Sequence, residues 1–411
     1  MYEKFKRDIQ PIINLYHLAK AVVATVYFGY PSAKLKVIGV TGTDGKTTTT
    51  HAIYQILKSA GKKVSMLSTV YAKIGEKEYE TGLHVTTPDA VLLQKLLSES
   101  VKHGDEYFVL ETTSHGLDQN RNYGIYYEVG AITNVTHEHL DYHRTYERYL
   151  TTKAKLIKQS KIGIINADDG SYNMLEKALS SKLKASKVKT YGLENPADYS
   201  TNIQKELKIE MPEYNNYNFL AAFAVCCELG IDSATILRSL KKFKTPLGRN
   251  ETVYDKDFKV VIDFAHTPNS LKNILSELKK DAEKRKGRLI HVFGSAGLRD
   301  AGKRSLMGEQ TSSYAAISII TEEDYRTESF EQIAKQICVG IKDSEVRIKD
   351  ETLLLIKDRQ NAINHAVGLA KKGDVVVCTG KAHEKSLNRN GVEDPWDEFR
   401  AVKTALNLRN S

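Results

Sequence analysis

Short apolar runs recur along the first half of the chain, each followed by a polar turn and a helical pattern. They cover residues 35–41, 107–111, 129–134 and 161–166. Runs of this length that are apolar throughout are typical of strands whose two faces are both buried. Because they alternate with helices, they predict an α/β domain in which helices cover both sides of a parallel sheet.

A second series of the same kind begins after Gly248. Its predicted strands cover residues 258–263, 288–293, 316–321 and 374–379, and helices are predicted to start near Pro268, Ser329 and Arg359. This alternation predicts a separate Rossmann-like α/β domain. Between the two series, residues 170–213 are polar, rich in lysine and weakly periodic, and they predict a small irregular insertion.

The two series divide the chain into a short helical segment, a central parallel-sheet domain and a C-terminal domain, at residues 1–34, 35–247 and 248–411. The most lipophilic part of the first segment, Leu18 to Tyr30, is shorter than the roughly 20 apolar residues that a membrane span needs. It is expected to pack against the next domain. The alternative is an amphipathic helix in weak contact with a membrane surface.

Composition narrows the partners of the chain. Its 411 residues carry a net charge of +9, and 41% are hydrophobic, as in a soluble globular protein of two or three domains. The positive charge favours anionic partners, which are nucleotides, phosphorylated substrates or an acidic membrane surface. No basic run is interleaved with aromatic residues, so nucleic acid is not expected. The four cysteines do not have the spacing of a zinc site and lie in apolar stretches, as expected of reduced core residues. No apolar stretch ends in a signal-peptide cleavage site. We therefore expect a cytoplasmic protein.

The first strand runs into a glycine-containing loop that opens a helix. Loop and helix start comprise Gly42, Thr43, Asp44, Gly45, Lys46, Thr47 and Thr48. Glycines let backbone N–H groups curl around phosphates, and the helix N-terminus adds positive potential. Lys46 can reach the terminal phosphates, and the Thr47 hydroxyl can ligate Mg²⁺. Val40 stands where the common phosphate-loop spacing has glycine. The pattern is therefore a variant loop, and it predicts ATP binding.

Acidic and imidazole groups follow the next strands. Glu111 ends the 107–111 run, where a carboxylate is well placed to hold Mg²⁺ beside the phosphates. The following run ends at Asn134 and leads into residues 138–143, which read Glu-His-Leu-Asp-Tyr-His. Taken alone, such a segment is more typical of a solvated turn. Because residues 138–143 follow the end of a predicted sheet strand, we expect them to lie at the edge of an active site instead.

These blocks, taken together and in order, resemble the Mur ligase family. The matching blocks are residues 42–49, residues 111–117 with Gln119 and Arg121, residues 133–143 with Tyr149 and Lys153, residues 215–218, 248–249 and 263–268, residues 292–294 with 299–300 and 303–304, and residues 380–384. The resemblance is strongest to members that add the third amino acid to a cell-wall peptide precursor. It implies a P-loop-containing central ATPase domain and a C-terminal Rossmann-like ligase domain.

The resemblance also implies roles for individual residues. ATP would be bound by Gly42, Thr43, Asp44, Gly45, Lys46, Thr47, Thr48, Asn134, Asn218, Arg249 and Asp263, Mg²⁺ by Thr47, Glu111, His139 and Lys153, and catalysis would rest on Lys46, Glu111, His139 and Lys153. The family carries the lysine that aligns with Lys153 as a carbamate, which can bind a metal ion where an ammonium cannot. Lys155 is the alternative match to the family's lysine. The position of Tyr149, four residues before Lys153, favours Lys153.

Substrate contacts follow from the same resemblance. The acceptor peptide would contact Thr86, Thr87, Thr113, Gln119 and Arg121, and the incoming amino acid would contact Arg326, Gly380 and Glu384. A cation for a carboxylate and an acid for an ammonium suit meso-diaminopimelate, with lysine or another amine as the alternative. Residues 323–326 read Glu-Asp-Tyr-Arg where many relatives have Asp-Asn-Pro-Arg. Most of the family's N-terminal uridine-binding domain, about 100 residues, is expected to be missing.

The implied activity is that of an ATP-dependent ligase that forms an amide bond. The acceptor carboxylate takes the γ-phosphate of ATP, and the amine of the amino acid attacks the resulting acyl phosphate. Two other hypotheses stay open: a folylpolyglutamate-synthase-like ligase, and a non-catalytic ATP-binding regulatory protein. We expect a monomer whose partners are the muramyl-dipeptide precursor, an amino acid, and ATP with Mg²⁺.

Overall fold

The chain forms two compact units. A computed structural model describes residues 2–80, 86–180 and 187–410. The first unit comprises Met1–Thr136 and Thr145–Lys244, and the second comprises His137–Arg144 and Thr245–Ser411. Residues 137–144 therefore cluster with the second unit although their neighbours in sequence belong to the first. Along the described part of the chain, no helix is both long and apolar enough to cross a membrane.

The first unit is built on an eight-stranded sheet. Its strands are β1 Lys36–Thr41, β2 Val64–Leu67, β3 Ala72–Ile74, β4 Lys77–Tyr79, β5 Tyr107–Glu111, β6 Tyr127–Ile132, β7 Ser160–Asn166 and β8 Lys187–Tyr191. They follow one another across the sheet in the order β4-β3-β2-β5-β1-β6-β7-β8. The six strands β2, β5, β1, β6, β7 and β8 pair with their neighbours in parallel. β3 and β4 extend the sheet beyond β2 as antiparallel strands.

Ten α-helices and one short 3₁₀ helix, Pro31–Lys34, occur in the described chain before residue 245. The α-helices are α1 Tyr2–Tyr27, α2 Lys46–Ser59, α3 Ala90–His103, α4 Ser114–Asp118, α5 Leu140–His143, α6 Tyr146–Lys158, α7 Tyr172–Ser180, α8 Ile203–Leu207, α9 Glu213–Glu228 and α10 Ser233–Lys241. All but α5 belong to the first unit. Successive residues of β1 point to opposite faces of the sheet. Ile38 and Val40 pack into a core with α2, α9 and α10, whereas Val37 packs into another core with α3. Burial on both faces explains why the strand is apolar throughout.

The second unit contains a six-stranded sheet and a separate hairpin. Its strands are β9 Glu251–Asp255, β10 Lys259–Asp263, β11 Leu289–Phe293, β12 Ile317–Ile320, β13 Leu353–Leu355, β14 Val375–Thr379, β15 Ser386–Arg389 and β16 Val392–Pro395. The sheet order is β13-β12-β11-β14-β10-β9, and all neighbours pair in parallel except β9, which runs antiparallel at one edge. The hairpin is β15-β16.

Helices cover both faces of this second sheet as well. They are α11 Pro268–Lys284, α12 Gly302–Tyr314, α13 Phe330–Cys338, α14 Ser344–Lys349, α15 Arg359–Leu369 and α16 Glu398–Asn410. Val261 of β10 packs with α11 and α13, whereas its neighbours Val260 and Ile262 pack with α15 and α16. The α/β class with parallel sheets, predicted from the apolar runs, is confirmed.

One prediction about the fold is wrong. Residues 170–213 were expected to be irregular, but apart from residues 181–186, which lie outside the described residues, they form α7, β8 and α8 and reach the start of α9. β8 pairs in parallel with β7 at the edge of the first sheet. An edge strand has a partner on one side alone, so it tolerates charged residues such as Lys189, which obscure the apolar pattern.

His291 in β11 makes the stability of the second unit depend on pH. Its ring lies in the core, where Nδ1 is 2.8 Å from Thr311 Oγ1 and Nε2 is 2.9 Å from Thr379 Oγ1. Burial, with a smaller contribution from the Arg359 charge, lowers the pKa of His291 from 6.5 to about 3. The unfolded imidazole takes up a proton near pH 6.5 and the folded one does not. The contribution of His291 to the stability of the second unit is therefore present above pH 6.5 and is lost as the pH falls from 6.5 towards 3.

We expect His291 to account for a loss of about 2 kcal/mol in the free energy of unfolding between pH 7 and pH 5. Trp396, the single tryptophan, lies in the second unit, so its fluorescence during urea unfolding reports on that unit. His291→Gln should be less stable at pH 7 but should lose about 2 kcal/mol less on acidification. Equal losses in both proteins would contradict this assignment.

Candidate active site

The loop between β1 and α2 holds the most distinctive geometry of the first unit. Gly45 caps α2 with φ +82°, a conformation that L side chains rarely adopt. A Cβ atom at Gly45 would lie 2.1 Å from Asn218 Oδ1 on α9. The glycine thus allows the helix start and Asn218 to approach each other, so Asn218, one of the residues predicted to bind ATP, lies beside the predicted phosphate loop.

Asn134, just beyond β6, fixes the shape of this loop. Its carbonyl accepts from the Thr43 N–H at 2.9 Å, its Oδ1 accepts from the Asp44 N–H at 2.9 Å, and its Nδ2 donates to the Asp44 carbonyl at 3.1 Å. Lys46 lies over the loop and donates from Nζ to the Thr43 carbonyl at 2.7 Å. The lysine is therefore positioned by the loop that the sequence assigns to phosphates.

Glu111 lies at the end of β5, with 1% of its surface exposed. Its Oε1 accepts from the Thr47 hydroxyl at 3.1 Å and from the Thr69 hydroxyl at 2.7 Å, and its Oε2 accepts from the Thr69 N–H at 2.8 Å. These donors satisfy a buried carboxylate that would otherwise be costly. Thr69 was missed by the sequence analysis; the one available signal was the short apolar run of β2, which ends just before it.

The oxygen atoms gathered here suit magnesium. A carboxylate and a hydroxyl, from Glu111 and Thr47, are hard oxygen ligands of the type that Mg²⁺ prefers, and Mg²⁺ sites commonly combine few protein ligands with substrate phosphates. Within residues 2–80, 86–180 and 187–410, no group of three or more His, Cys, Asp or Glu residues converges as a metal site. Glu111 and Thr47 fit an ion held jointly with nucleotide phosphates.

Lys153 lies on α6 and is buried, with 1% of its surface exposed. Its Nζ donates to the Gly42 carbonyl at 2.6 Å and lies 4.4 Å from the centre of the Tyr149 ring. The Tyr149 hydroxyl in turn lies 3.1 Å from Thr43 Oγ1. By contrast, the side chain of Lys155 is partly exposed and forms an ion pair with Asp118 at 3.6 Å. Of the two registers considered, the one with Lys153 brings the amine to the phosphate loop.

The residues expected to contact the acceptor lie on the other side of Glu111. The Thr87 hydroxyl accepts from the Thr113 N–H at 2.9 Å and donates to the Glu111 carbonyl at 3.3 Å. Arg121 donates to the Thr87 carbonyl at 2.7 Å and, through Nε, to Gln119 Oε1 at 2.8 Å. Thr86 joins the group through the Thr69 hydroxyl at 3.0 Å. These side chains form one connected set next to Glu111.

His139 belongs to the second unit, whereas Glu111 and Lys153 belong to the first. It precedes α5 with φ +57°, and its Nδ1 lies 3.8 Å from Glu138 Oε1. Two contacts tie this segment to α12 and the loop before it: Glu138 forms an ion pair with Lys303 at 3.2 Å, and the Leu140 N–H donates to Asp300 at 3.3 Å. The segment that carries His139 is therefore fixed by Lys303 and Asp300.

Two further residues expected at the nucleotide lie near the start of the second unit. Asp263 ends β10, where its carboxylate accepts from the Asn250 N–H at 2.6 Å and the Ala265 N–H at 2.7 Å. The Arg249 guanidinium lies 4.5 Å from the centre of the Phe264 ring. The Gly380 N–H donates to the Asp263 carbonyl at 3.2 Å, which joins the ends of β10 and β14.

A buried lysine organises the residues expected to bind the amino acid. Lys381 donates to Asp324 at 2.8 Å and to Glu384 at 2.6 Å. Burial opposes its charge, but Glu384 and Asp324 outweigh that effect and raise the pKa of Lys381. A Cβ at Gly380 would lie 2.7 Å from Glu323 Oε2, and burial raises the pKa of Glu323. Lys381 was not singled out from the sequence, although it stands inside the matched 380–384 block.

Arg326 adds a cation to this cluster. Its backbone is left-handed, with φ +53°, and its N–H donates to the Asn388 carbonyl at 3.0 Å. Its guanidinium donates to the Gly297 carbonyl. Cationic and carboxylate groups thus occur together at the ends of β12 and β14, an arrangement that can bind a zwitterionic amino acid.

Two family models match the chain. The Mur ligase middle domain matches residues 40–226, and the Mur ligase glutamate ligase domain matches residues 248–382. A curated relative, UDP-N-acetylmuramoyl-L-alanyl-D-glutamate–2,6-diaminopimelate ligase 1 of Clostridium acetobutylicum, is 40% identical over 386 residues, which are 89% of this chain and 77% of the relative. The chain belongs to the Mur ligase family. The resemblance inferred from the motifs is confirmed.

Solved structures agree with the assignment to the Mur ligases. A structure of a UDP-N-acetylmuramoyl-L-alanyl-D-glutamate–2,6-diaminopimelate ligase aligns with a TM-score of 0.58 at 30% identity, and covers 92% of this chain and 79% of its own. A folylpolyglutamate synthase of Mycobacterium tuberculosis aligns with a TM-score of 0.69, but at 16% identity. The second likeness shows a common fold and no more.

The approach of Asn218 to Gly45 gives a test of the nucleotide site of this Mur ligase. We expect Gly45→Ala to weaken ATP binding at least about tenfold, because a Cβ there forces Asn218 or the loop to move. Gly61, at the end of α2, also has a positive φ, +73°, but nothing lies within 4 Å of its Cβ position. Titration calorimetry with ATP compares the two variants.

Gly61→Ala is the matched control. It should lose about 1–2 kcal/mol of stability from the strained backbone and keep the ATP affinity of the wild type. Equal ATP affinities for Gly45→Ala and the wild type would show that the loop does not hold the nucleotide.

Proposed function

We propose that this chain is an ATP-dependent ligase that joins 2,6-diaminopimelate to the glutamate of UDP-N-acetylmuramoyl-L-alanyl-D-glutamate. The observation that carries the proposal is the buried Glu111, held by Thr47 and Thr69 next to the Lys46 loop, in a chain 40% identical to a ligase of that name. Identity over 89% of the chain includes both units, so the proposal concerns the whole reaction and not ATP binding alone.

The phosphate loop acts on the first step. Backbone N–H groups at the start of α2 and the Lys46 ammonium hold the phosphates of ATP and oppose the negative charge that builds up during transfer. The acceptor carboxylate attacks the γ-phosphorus, the bond from this phosphorus to the bridging oxygen breaks, and ADP leaves. Thr47 and Glu111 would hold Mg²⁺, which would further neutralise the phosphate charge.

The acceptor is positioned by the set of side chains beside Glu111. The Arg121 guanidinium can donate to peptide carbonyl and carboxylate oxygens. The Thr113 hydroxyl donates to Thr87, and the Thr87 hydroxyl donates to the Glu111 carbonyl, so this set is joined to the end of β5. The connection supports an acceptor carboxylate held next to the phosphate loop. Holding the two reactants together in this way lowers the entropic part of the barrier.

The second step uses the amine of the incoming amino acid. It attacks the carbonyl carbon of the acyl phosphate, and the tetrahedral intermediate breaks the carbon–oxygen bond to phosphate. The nitrogen loses a proton to the departing phosphate, which leaves an amide. Arg326 suits a carboxylate and Glu384 suits an ammonium, which matches an amino acid with charged groups at both ends. Because Lys381 bridges Asp324 and Glu384, it sets the position of the Glu384 carboxylate before the amino acid binds.

The experiment is a ligation assay with mass detection. The purified chain is incubated with ATP, Mg²⁺, UDP-N-acetylmuramoyl-L-alanyl-D-glutamate and either meso-diaminopimelate or L-lysine, and phosphate release is measured in parallel. We expect a product heavier by one diaminopimelate residue and phosphate release that needs all substrates. Glutamate added to a folate in the same assay, or ATP hydrolysis independent of acceptor and amine, would refute the proposal.

The role of Glu111 in ligation can be tested by substitution, with Glu106, a second carboxylate near β5, as the control. Glu111→Gln removes a charge next to the phosphates, and we expect it to lower the ligation rate about 100-fold. Glu106, just before β5, is exposed and pairs with Lys36 at 3.3 Å, so Glu106→Gln should stay within about twofold of the wild type. Similar rates for the two variants would remove Glu111 from the mechanism.

We further propose that Lys153 acts as a carbamate. Its amine lies 2.6 Å from the Gly42 carbonyl, at the phosphate loop, where an added carboxylate-like group would serve as an oxygen ligand for Mg²⁺. We expect Lys153→Arg to lower the ligation rate at least about 100-fold, because arginine keeps the charge but forms no carbamate.

Lys155→Arg is the matched control on the same helix, and it should keep the rate of the wild type. In ¹³C NMR with labelled bicarbonate, the wild type and Lys155→Arg should show a carbamate resonance that Lys153→Arg lacks. A resonance that survives in Lys153→Arg, or its absence from the wild type, would refute the carbamate.

A further inference from the structure

The helix α1 lies against the first unit through one face. Ala21, Ala24 and Thr25 are buried there. The Thr25 hydroxyl contacts the Tyr123 carbonyl at 3.1 Å, and Asn14 donates to Asp118 at 3.1 Å. These contacts fix the rotation of the helix about its axis, and they therefore determine which residues face solvent.

The outward face of α1 is apolar. Ile12, Leu15, Val23 and Tyr27 are 67%, 65%, 68% and 82% exposed. They recur at intervals of three, four and eight residues, which places them on one side of a helix. The exposed residues between positions 11 and 27 are Pro11, Ile12, Leu15, Tyr16, Ala19, Val23, Val26 and Tyr27.

This outward face is the reverse of the usual arrangement. A helix on the surface of a protein normally turns its apolar stripe inward and its charged residues to water. Between residues 11 and 27 both faces are apolar or neutral except for Lys20, which lies at the flank and pairs with Asp89 at 3.4 Å. A contiguous exposed apolar strip of this kind marks a surface that binds a partner or a membrane.

The charge of the same segment decides between possible partners. Residues 1–36 contain Lys4, Lys6, Arg7, Lys20, Lys34 and Lys36 against Glu3 and Asp8, six positive charges less two negative, or +4. Lys20 pairs with Asp89 and Lys36 pairs with Glu106, both outside the segment, which leaves a net charge of +2. Two copies of the helix face to face would bring two such positive segments together. A bilayer rich in anionic lipids complements both the charge and the apolar strip.

Tyrosines border the strip. Tyr16, Tyr27 and Tyr30 are exposed on or just after α1, and Tyr126 is exposed a few residues beyond Tyr123, whose carbonyl contacts the helix. Tyrosine is enriched where a protein meets the headgroup region, because its ring is apolar and its hydroxyl remains hydrated. The edge of the strip thus has the side chains of an interfacial helix.

We propose that the outward face of α1 docks the protein on the surface of an anionic lipid bilayer. The helix lies along the surface, with Ile12, Leu15 and Val23 at the level of the acyl chains and the basic residues among the headgroups. It does not span the bilayer, in keeping with its hydropathy. The inference rests on α1 and the residues next to it, and it does not depend on the ligase function.

The test is flotation of the full chain with vesicles of phosphatidylglycerol and phosphatidylcholine, or of phosphatidylcholine alone. We expect binding to the anionic vesicles, at least about fivefold less binding to the neutral ones, and weaker binding in high salt. Leu15→Glu and Val23→Glu should each reduce the partition coefficient about tenfold, because each places a charge in the strip. Val392→Glu, on the second unit at a 62% exposed valine, is the matched control and should bind like the wild type.

Thermal unfolding of each variant verifies that it is folded, and light scattering gives the mass in solution. No flotation of the wild type, equal flotation with neutral and anionic vesicles, or equal binding by Val23→Glu would overturn the proposal. So would a dimer of the wild type that Val23→Glu converts to a monomer, since the strip would then bind a second copy.

Discussion

The parallel pairing of β1 with β5 on one side and β6 on the other is the constraint on which the first unit depends. The carboxyl ends of parallel neighbours meet at one edge of the sheet, and ligands bind beyond that edge where the strand order diverges. The register pairs Val40 with Glu111 and Thr41 with Ile132. The loop that follows β1 is thereby flanked by Glu111 and by Asn134, which shapes it, and no local feature of any one strand produces this arrangement.

Central strands and edge strands differ in how well the sequence predicts them. The central strands β1, β5, β10 and β14 are buried on both faces, so each has an uninterrupted apolar run, and their positions could be predicted within one or two residues. The edge strands β8 and β9 carry lysine, glutamate and aspartate because solvent reaches one side of them. Their place in the sheet depends on tertiary contacts, and it could not be predicted from the apolar pattern of the sequence.

The same distinction separates the site residues that could be proposed from those that could not. Glu111 and the Lys46 loop each follow directly from the end of an apolar strand. Thr69 donates to both carboxylate oxygens of Glu111 because β2 is the neighbour of β5 in the sheet, and this order is not evident from the chain. Lys381 likewise acquires its place from Asp324, 57 residues earlier in sequence.

Buried charge in the second unit contributes more to geometry than to stability. Arg359 and Glu398 are both fully buried and form a bidentate pair at 2.6 and 2.9 Å. The gain from such a pair is largely offset by desolvation, so it is weak evidence for stability. However, Arg359 also donates to the Thr379 carbonyl at 2.8 Å and the Glu322 carbonyl at 3.2 Å, at the ends of β14 and β12. Those ends lead into Gly380 and Glu323, so the pair holds together the two loops on which an amino-acid site would be built. An apolar pair of equal volume would fill the space without fixing those carbonyls.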